Sequence, residues 1–115
     1  MKPIHVEDVQ KRIQAFSNQT VYVHLETTNG AYATHNNADF FSASAYIRNA
    51  KVHVEHGKIL GDGPYRVGLK IDIGWVYAEG ITHYEDEQEG RLLLAGHGAE
   101  GKLAVALQIS ETPFE

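Results

Sequence analysis

Residues 20–35, TVYVHLETTNGAYATH, commit the chain to antiparallel sheet. Val21, Val23 and Leu25 alternate with Tyr22, His24 and Glu26, the period of a strand with one buried face. Asn29-Gly30 offers the two positive-φ positions of a type I′ turn. With those residues as the loop, the spacing predicts His24 opposite His35, and Glu26 opposite Ala33 on the same side. Two imidazoles and a carboxylate then share one face of one hairpin.

The rest of the chain follows the same grammar. Val6, Val9, Ile13 and Phe16 make one apolar stripe and predict an N-terminal helix. Glu7 and Asp8 precede Lys11 and Arg12, the order that the helix dipole favours. A helix with one stripe is expected to pack across a sheet or to cover its edge. Phe41, Ala43, Ala45 and Ile47 then alternate with polar residues, and the apolar phase flips to Ala50, Val52 and Val54. A turn or bulge at Arg48-Asn49 accounts for the flip, because one extra residue exchanges the faces of a strand. Residues 61–64, GDGP, read as a turn, and 72–74 as a short hairpin loop. Between them Tyr65, Val67, Leu69 and Ile71 form a strand. Residues 75–84 read as the next strand, with Gly80 as a bulge. The acidic run 85–90 reads as an exposed hairpin loop, 91–95 as a short buried strand, and Leu103, Val105, Leu107 and Ile109 as the last strand. The tail 111–115 has little pattern. The expectation is a mainly β, single domain over 1–115: an antiparallel sandwich or barrel of about seven to eight short strands with one helix.

Composition removes several classes of function. A chain of 115 residues can bury a core without staples. It has no cysteine, which excludes a disulfide scaffold, a thiol nucleophile and a cysteine-rich zinc site. The first residues lack an apolar signal core, and no run approaches the roughly 18 apolar residues of a membrane span, so a cytoplasmic chain is expected. The formal charge is −5 and the bases are scattered, which disfavours nucleic acid and anionic membrane as partners.

The candidate chemistry is sparse. His24, Glu26 and His35 carry the ligand types of a divalent-metal site, and opposed Cβ atoms about 5 Å apart would let both rings reach one ion. The competing reading is a solvated sheet face. His53 and His56 point to opposite faces of a strand, and His83 and His97 read as isolated. Residues 96–102, GHGAEGK, copy part of a phosphate loop, but Leu103 replaces the final Ser or Thr and a strand follows instead of a helix. Arg48, Tyr65, Arg66 and Trp75 are the candidate ligand-binding residues: arginines for a carboxylate or phosphate, aromatics for an apolar site. Lys102 is a further cation, and Trp75, Tyr77 and Tyr84 are candidates for an apolar site or an oligomer interface.

The strings VYVHLETTNGAY, AYIRNAKV, GDGPYRVGLK, WVYAEG and GKLAVALQIS, in this order and spacing, resemble the YojF-like family of small Bacillus proteins. The likeness runs from EDVQ at Glu7–Gln10 through the last strand. The resemblance implies a β-rich fold, a ring-like homo-oligomer, and a genomic neighbour that is a deacetylase of bacillithiol synthesis. It supplies no catalytic residues. The functional expectation is a non-enzymatic homo-oligomeric binding or accessory protein linked to that thiol pathway. The alternatives are a metal-dependent enzyme or sensor on the His24, Glu26, His35 face, and a small sugar- or anion-binding module.

Overall fold

The computed structural model describes residues 1–28, 44–98 and 101–115. Among these, one helix, α1 (Val6–Gln14), accompanies eight strands: β1 (Lys2–Pro3), β2 (Gln19–Thr28), β3 (Ser44–Leu60), β4 (Tyr65–Ile71), β5 (Trp75–Ile81), β6 (His83–Glu85), β7 (Arg91–His97) and β8 (Leu103–Ser110). They form a single sheet in the order β1-β6-β7-β8-β2-β3-β4-β5, antiparallel at every pairing. The mainly β expectation with one helix is met, in the form of one curled sheet, a half-barrel. The order contains two sequential meanders, β2 to β5 and β6 to β8, joined along β2–β8.

β2 is paired otherwise than as the first arm of the expected 20–35 hairpin, whose remainder, 29–35, lies outside the described residues. Both edges of β2 are taken, one by β3 and the other by β8. Glu26 therefore faces Tyr46 and Ala106, and His24 faces Gln108. His35 lies outside the described residues. A turn signal acts locally, but the buried face of β2 is satisfied by whichever strands complete the core.

The flip at Arg48-Asn49 is a bulge, as its phase requires. Val23 pairs with Ala50 and Leu25 with Ile47, so both residues oppose His24 alone, and Asn49 takes a φ of 56°. Gly80 is likewise an extra residue in β5: Ile81 pairs with Tyr65 and Glu79 with Arg66, with a φ of 82° at Gly80.

Residues 75–84 are not one strand. The chain turns at Thr82, where β5 pairs with β4 and β6 with β7, at opposite ends of the sheet order. One residue cannot span the width of a flat sheet, so the sheet must roll until its ends meet. Thr82 anchors the corner by donating its N–H to the Ala95 carbonyl at 2.9 Å and accepting at its own carbonyl from the Ile4 N–H at 3.1 Å. Gly80 and Gly96 cross here, and a Cβ on Gly96 would collide with the Gly80 carbonyl oxygen.

The inner face of the roll carries the core: Val21, Val23, Val54, Val67, Leu69, Ile81, Leu92, Leu94, Leu107 and Ile109. Helix α1 adds Val9 and Ile13, and the turn that follows it adds Phe16, all buried. Val6, at the exposed start of the helix, stays outside the stripe. Ile13 fits over Gly57, where a Cβ would sit 2.5 Å from its Cγ2. Pairing between β2 and β3 stops at Gln19 and Val54, so β3 is bare on that edge beyond this point. Gln10 takes the place of a strand there. It donates to the Gly57 carbonyl at 3.1 Å and accepts from the Ile59 N–H at 3.0 Å.

Candidate functional site

The outer face of β3, β4 and β5 is laid out by register alone. Leu60, Arg66 and Glu79 form one rung, Lys58, Gly68 and Tyr77 the next, and His56, Lys70 and Trp75 the third. Gly68 stands at the centre with no side chain, and the Tyr77 ring lies over it: a Cβ there would be 2.8 Å from Tyr77 Cε1. Tyr77 and Trp75 stack with centroids 5.5 Å apart and planes within 8°. His56 meets Trp75 edge-on at 5.6 Å. The Arg66 guanidinium lies 5.6 Å from the Tyr77 centroid, and the Lys70 ammonium 5.9 Å from that of Trp75.

Trp75 and Tyr77 nevertheless stay 45% and 49% exposed. Leaving two large rings half in water forgoes burial energy and marks a surface that another molecule can cover. Two hollows open here. One, of about 330 Å³, is lined by Leu60, Gly61, Pro64, Tyr65, Arg66, Glu79 and Gly80. The other, of about 150 Å³, has Trp75, Tyr77, His56, Lys58 and Gly68 in its walls. Leu60 and Arg66 belong to both. Arg66 pairs with Glu79, and Lys70 reaches Glu55 at 3.9 Å and the Ile71 carbonyl at 2.8 Å. Lys58 has no ion-pair partner among the described residues.

The structure thus gathers Tyr65, Arg66 and Trp75 around adjoining hollows. Arg48 is elsewhere, towards the other end of β3, and grips the tail. Its guanidinium lies 4.7 Å from the Phe114 centroid and donates to the Glu115 backbone oxygen at 2.9 Å. Arg91 covers the same ring at 5.0 Å, and Asn49 exchanges two hydrogen bonds with the Phe114 backbone. Tyr84 is buried in the core. Tyr77, Lys58 and Lys70 belong to the face but escape single-strand reading, because only the β3–β4–β5 register shows them beside Trp75.

On the outer face of β2, His24 is 8% exposed and its Nε2 lies 3.3 Å from Glu26 Oε1. A carboxylate only accepts, so this contact places the ring proton on Nε2. Nδ1 is then a bare acceptor, buried and without a partner among the described residues. Glu26 orients the ring rather than standing beside it as an equal ligand. Among the described residues no group of three or more His, Asp or Glu side chains is placed to hold a metal.

His83 and His97 are not isolated. His83 pairs with Ala95, and His97 is the next residue of β7 on that face. Their Nδ1 atoms are 3.3 Å apart. The acidic loop 85–90 carried the signal: closing that hairpin sets the two strands, and both rings, side by side. Gly101 and Lys102 lead into β8, and the Gly98 N–H donates to the Lys102 carbonyl at 2.7 Å, so among the described residues of 96–102 no helix N-terminus is present for a phosphate. No helix among the described residues is long and apolar enough to cross a membrane.

Comparison with known proteins finds similarity over nearly the whole length of the chain. It is 55% identical over 114 residues to Uncharacterized protein YojF of Bacillus subtilis (strain 168), covering 99% of this chain and 98% of that one. The crystal structure of Bacillus subtilis YojF superposes with a TM-score of 0.83 at 52% identity, covering 99% of this chain and 96% of the other. The family model described as protein of unknown function, DUF1806, matches residues 3–114, and the chain belongs to that family.

Proposed function

We propose that this protein is a non-enzymatic binding module whose ligand face is the outer surface of β3, β4 and β5. The ligand class is a small anionic molecule built on a sugar ring, such as a sugar phosphate or a carboxylated glycoside. One observation carries the reading: the exposed Trp75–Tyr77 stack, ringed by Arg66, Lys70, Lys58 and His56 in a chain of net charge −5. Aromatic faces suit the apolar side of a sugar ring, and a guanidinium suits a carboxylate or phosphate. The face grips but has no paired acid and base: Glu79 is held by Arg66, and the His56 ring rests on Trp75.

We further propose that this binding serves bacillithiol synthesis in the cytoplasm, in a ring-like homo-oligomer with the neighbouring deacetylase as a partner, a reading that the resemblance to the YojF-like family supports. Glucosaminyl-malate has the required chemistry. Trp75 fluorescence reads the test, with sugar phosphates and glucosaminyl-malate as probes. A ligand at a hundred times its Kd adds about 2.7 kcal/mol, roughly ten degrees of melting temperature for this length. Trp75→Ala and Arg66→Ala should abolish that shift and leave the fold intact. A flat response to the whole panel refutes the ligand reading. If Trp75→Ala instead changes only the oligomeric state, the face is a contact between copies.

A second reading rests on the bare, buried Nδ1 of His24, which a divalent metal would satisfy. It requires that His24→Ala remove metal from the untagged protein.

A further inference from the structure

We propose that His83 and His97 form a two-imidazole chelate for a divalent late-transition-metal ion of the zinc class. The site lies at the corner where the sheet closes, apart from both the aromatic face and His24. His83 opens β6 directly after Thr82, and His97 ends β7. Both rings are half-buried on the outer face, so an ion can reach them.

Several polar atoms crowd around one ring nitrogen. His83 Nδ1 faces two neighbours, Thr82 Oγ1 at 2.7 Å and His97 Nδ1 at 3.3 Å. A ring nitrogen carries one proton or one lone pair, so it satisfies one of them fully. The Thr82 hydroxyl is itself contested. It accepts from the His97 backbone N–H at 3.3 Å and has a second acceptor for its proton in the Ala95 carbonyl at 3.4 Å.

A metal ion offers another arrangement. It takes a lone pair from each Nδ1, and the Thr82 proton turns to Ala95. The spacing fits. Zinc–imidazole bonds of about 2.0–2.1 Å at a tetrahedral angle separate the two nitrogens by about 3.3–3.4 Å. A right-angle octahedral pair would bring them to about 2.9 Å. The observed separation is 3.3 Å, with the rings 4.9 Å apart and nearly perpendicular. No carboxylate joins them into a larger group among the described residues. Two positions on the ion are therefore left for water or an incoming ligand, the pattern of an open site and not of a closed structural one. Imidazole-only ligation selects zinc, nickel and copper over magnesium and calcium.

The test uses the untagged, metal-stripped full chain, titrated with Zn(II) and Ni(II), and with Mg(II) as control. Calorimetry should show one Zn(II) or Ni(II) per chain and no Mg(II). In ¹⁵N-detected ring spectra of the unmodified protein, the His83 and His97 nitrogens should shift together while those of His24 and His56 stay in place. His83→Ala and His97→Ala should each weaken binding at least tenfold, and the double variant should abolish it. Should a variant fail to fold, the ring spectra of the unmodified protein still decide. Absence of saturable Zn(II) binding overturns the proposal. So does a zinc shift confined to His24, or variants that bind as tightly as the parent.

Discussion

Gly96→Ala tests the corner at Thr82 more sharply than any other single change. The added Cβ would fall inside the van der Waals shell of the Gly80 carbonyl oxygen, and 2.7 Å from Val105 Cγ1 and 2.9 Å from the Gly80 carbonyl carbon. Overpacking a well-filled site costs about 1–3 kcal/mol, and more where neighbours cannot turn aside. Here the main obstacle is backbone, so about 3 kcal/mol is the starting figure. Removing a glycine also narrows the unfolded ensemble, which returns about 0.4–1 kcal/mol. The net loss is about 2–3 kcal/mol. An unfolding entropy of about 2.1 cal/mol/K per residue turns this into a fall of roughly ten degrees in melting temperature. Gly74→Ala is the control, since nothing lies within 4 Å of its added Cβ. Differential scanning calorimetry of the two variants reads the result. If Gly96→Ala melts within about two degrees of the parent, β5 and β7 do not cross as closely as described, and the account of the closed corner fails.

Four further outcomes follow from contacts already named. Gln10→Met keeps the length of the side chain but strands the Gly57 carbonyl and the Ile59 N–H; a loss of about 1–3 kcal/mol should appear as a lower urea midpoint, with m unchanged. Phe114→Ala empties the slot between Arg48 and Arg91, and at this buried position at the margin of the fold should cost about 2–3 kcal/mol, with faster amide exchange over 110–114. Gly68→Ala pushes the exposed Tyr77 ring off its seat, so the emission of Trp75 should change while the melting temperature holds within a few degrees. Lys2 is held above the ordinary lysine value of 10.5 by its hydrogen bond to Asp86. That raised value means the tie between β1 and the 85–90 loop is complete below the ordinary value and is lost as pH climbs through the raised one. A ¹³C titration should show Lys2 titrating late, and Asp86→Asn should bring it back.

What could be read from the chain was what depends on near neighbours. The α1 stripe, the GDGP turn, the 72–74 loop, the Arg48-Asn49 flip and the Gly80 bulge each leave a mark within a few residues, because each is a change of phase or of backbone region. Thr82 leaves only a faint one. The buried phase shifts from Ile81 to Tyr84 across it, a change too short to tell from the nearby Gly80 bulge, and the choice of partner, β4 before and β7 after, reveals the corner. The same limit misplaced the partner of β2, whereas the histidine pair was implicit in the hairpin that the 85–90 loop closes. Arg66 and Trp75 were legible as unusual residues, but their neighbours Tyr77 and Lys70 become visible only when three strands are laid side by side.

The joining of two meanders along β2–β8 has a kinetic consequence. The β3–β4, β4–β5, β6–β7 and β7–β8 links are short, so these hairpins lie within reach of microsecond closure. The seam between them pairs Tyr22 with Ser110 and Thr27 with Val105, which lie far apart along the chain. Little rewards that closure until both halves have taken shape, because its loop entropy is lost before any cross-seam contact compensates. The seam should therefore be the rate-limiting event. Core truncations such as Val23→Ala and Leu107→Ala should slow folding, while those confined to the β4–β5 hairpin should mainly speed unfolding.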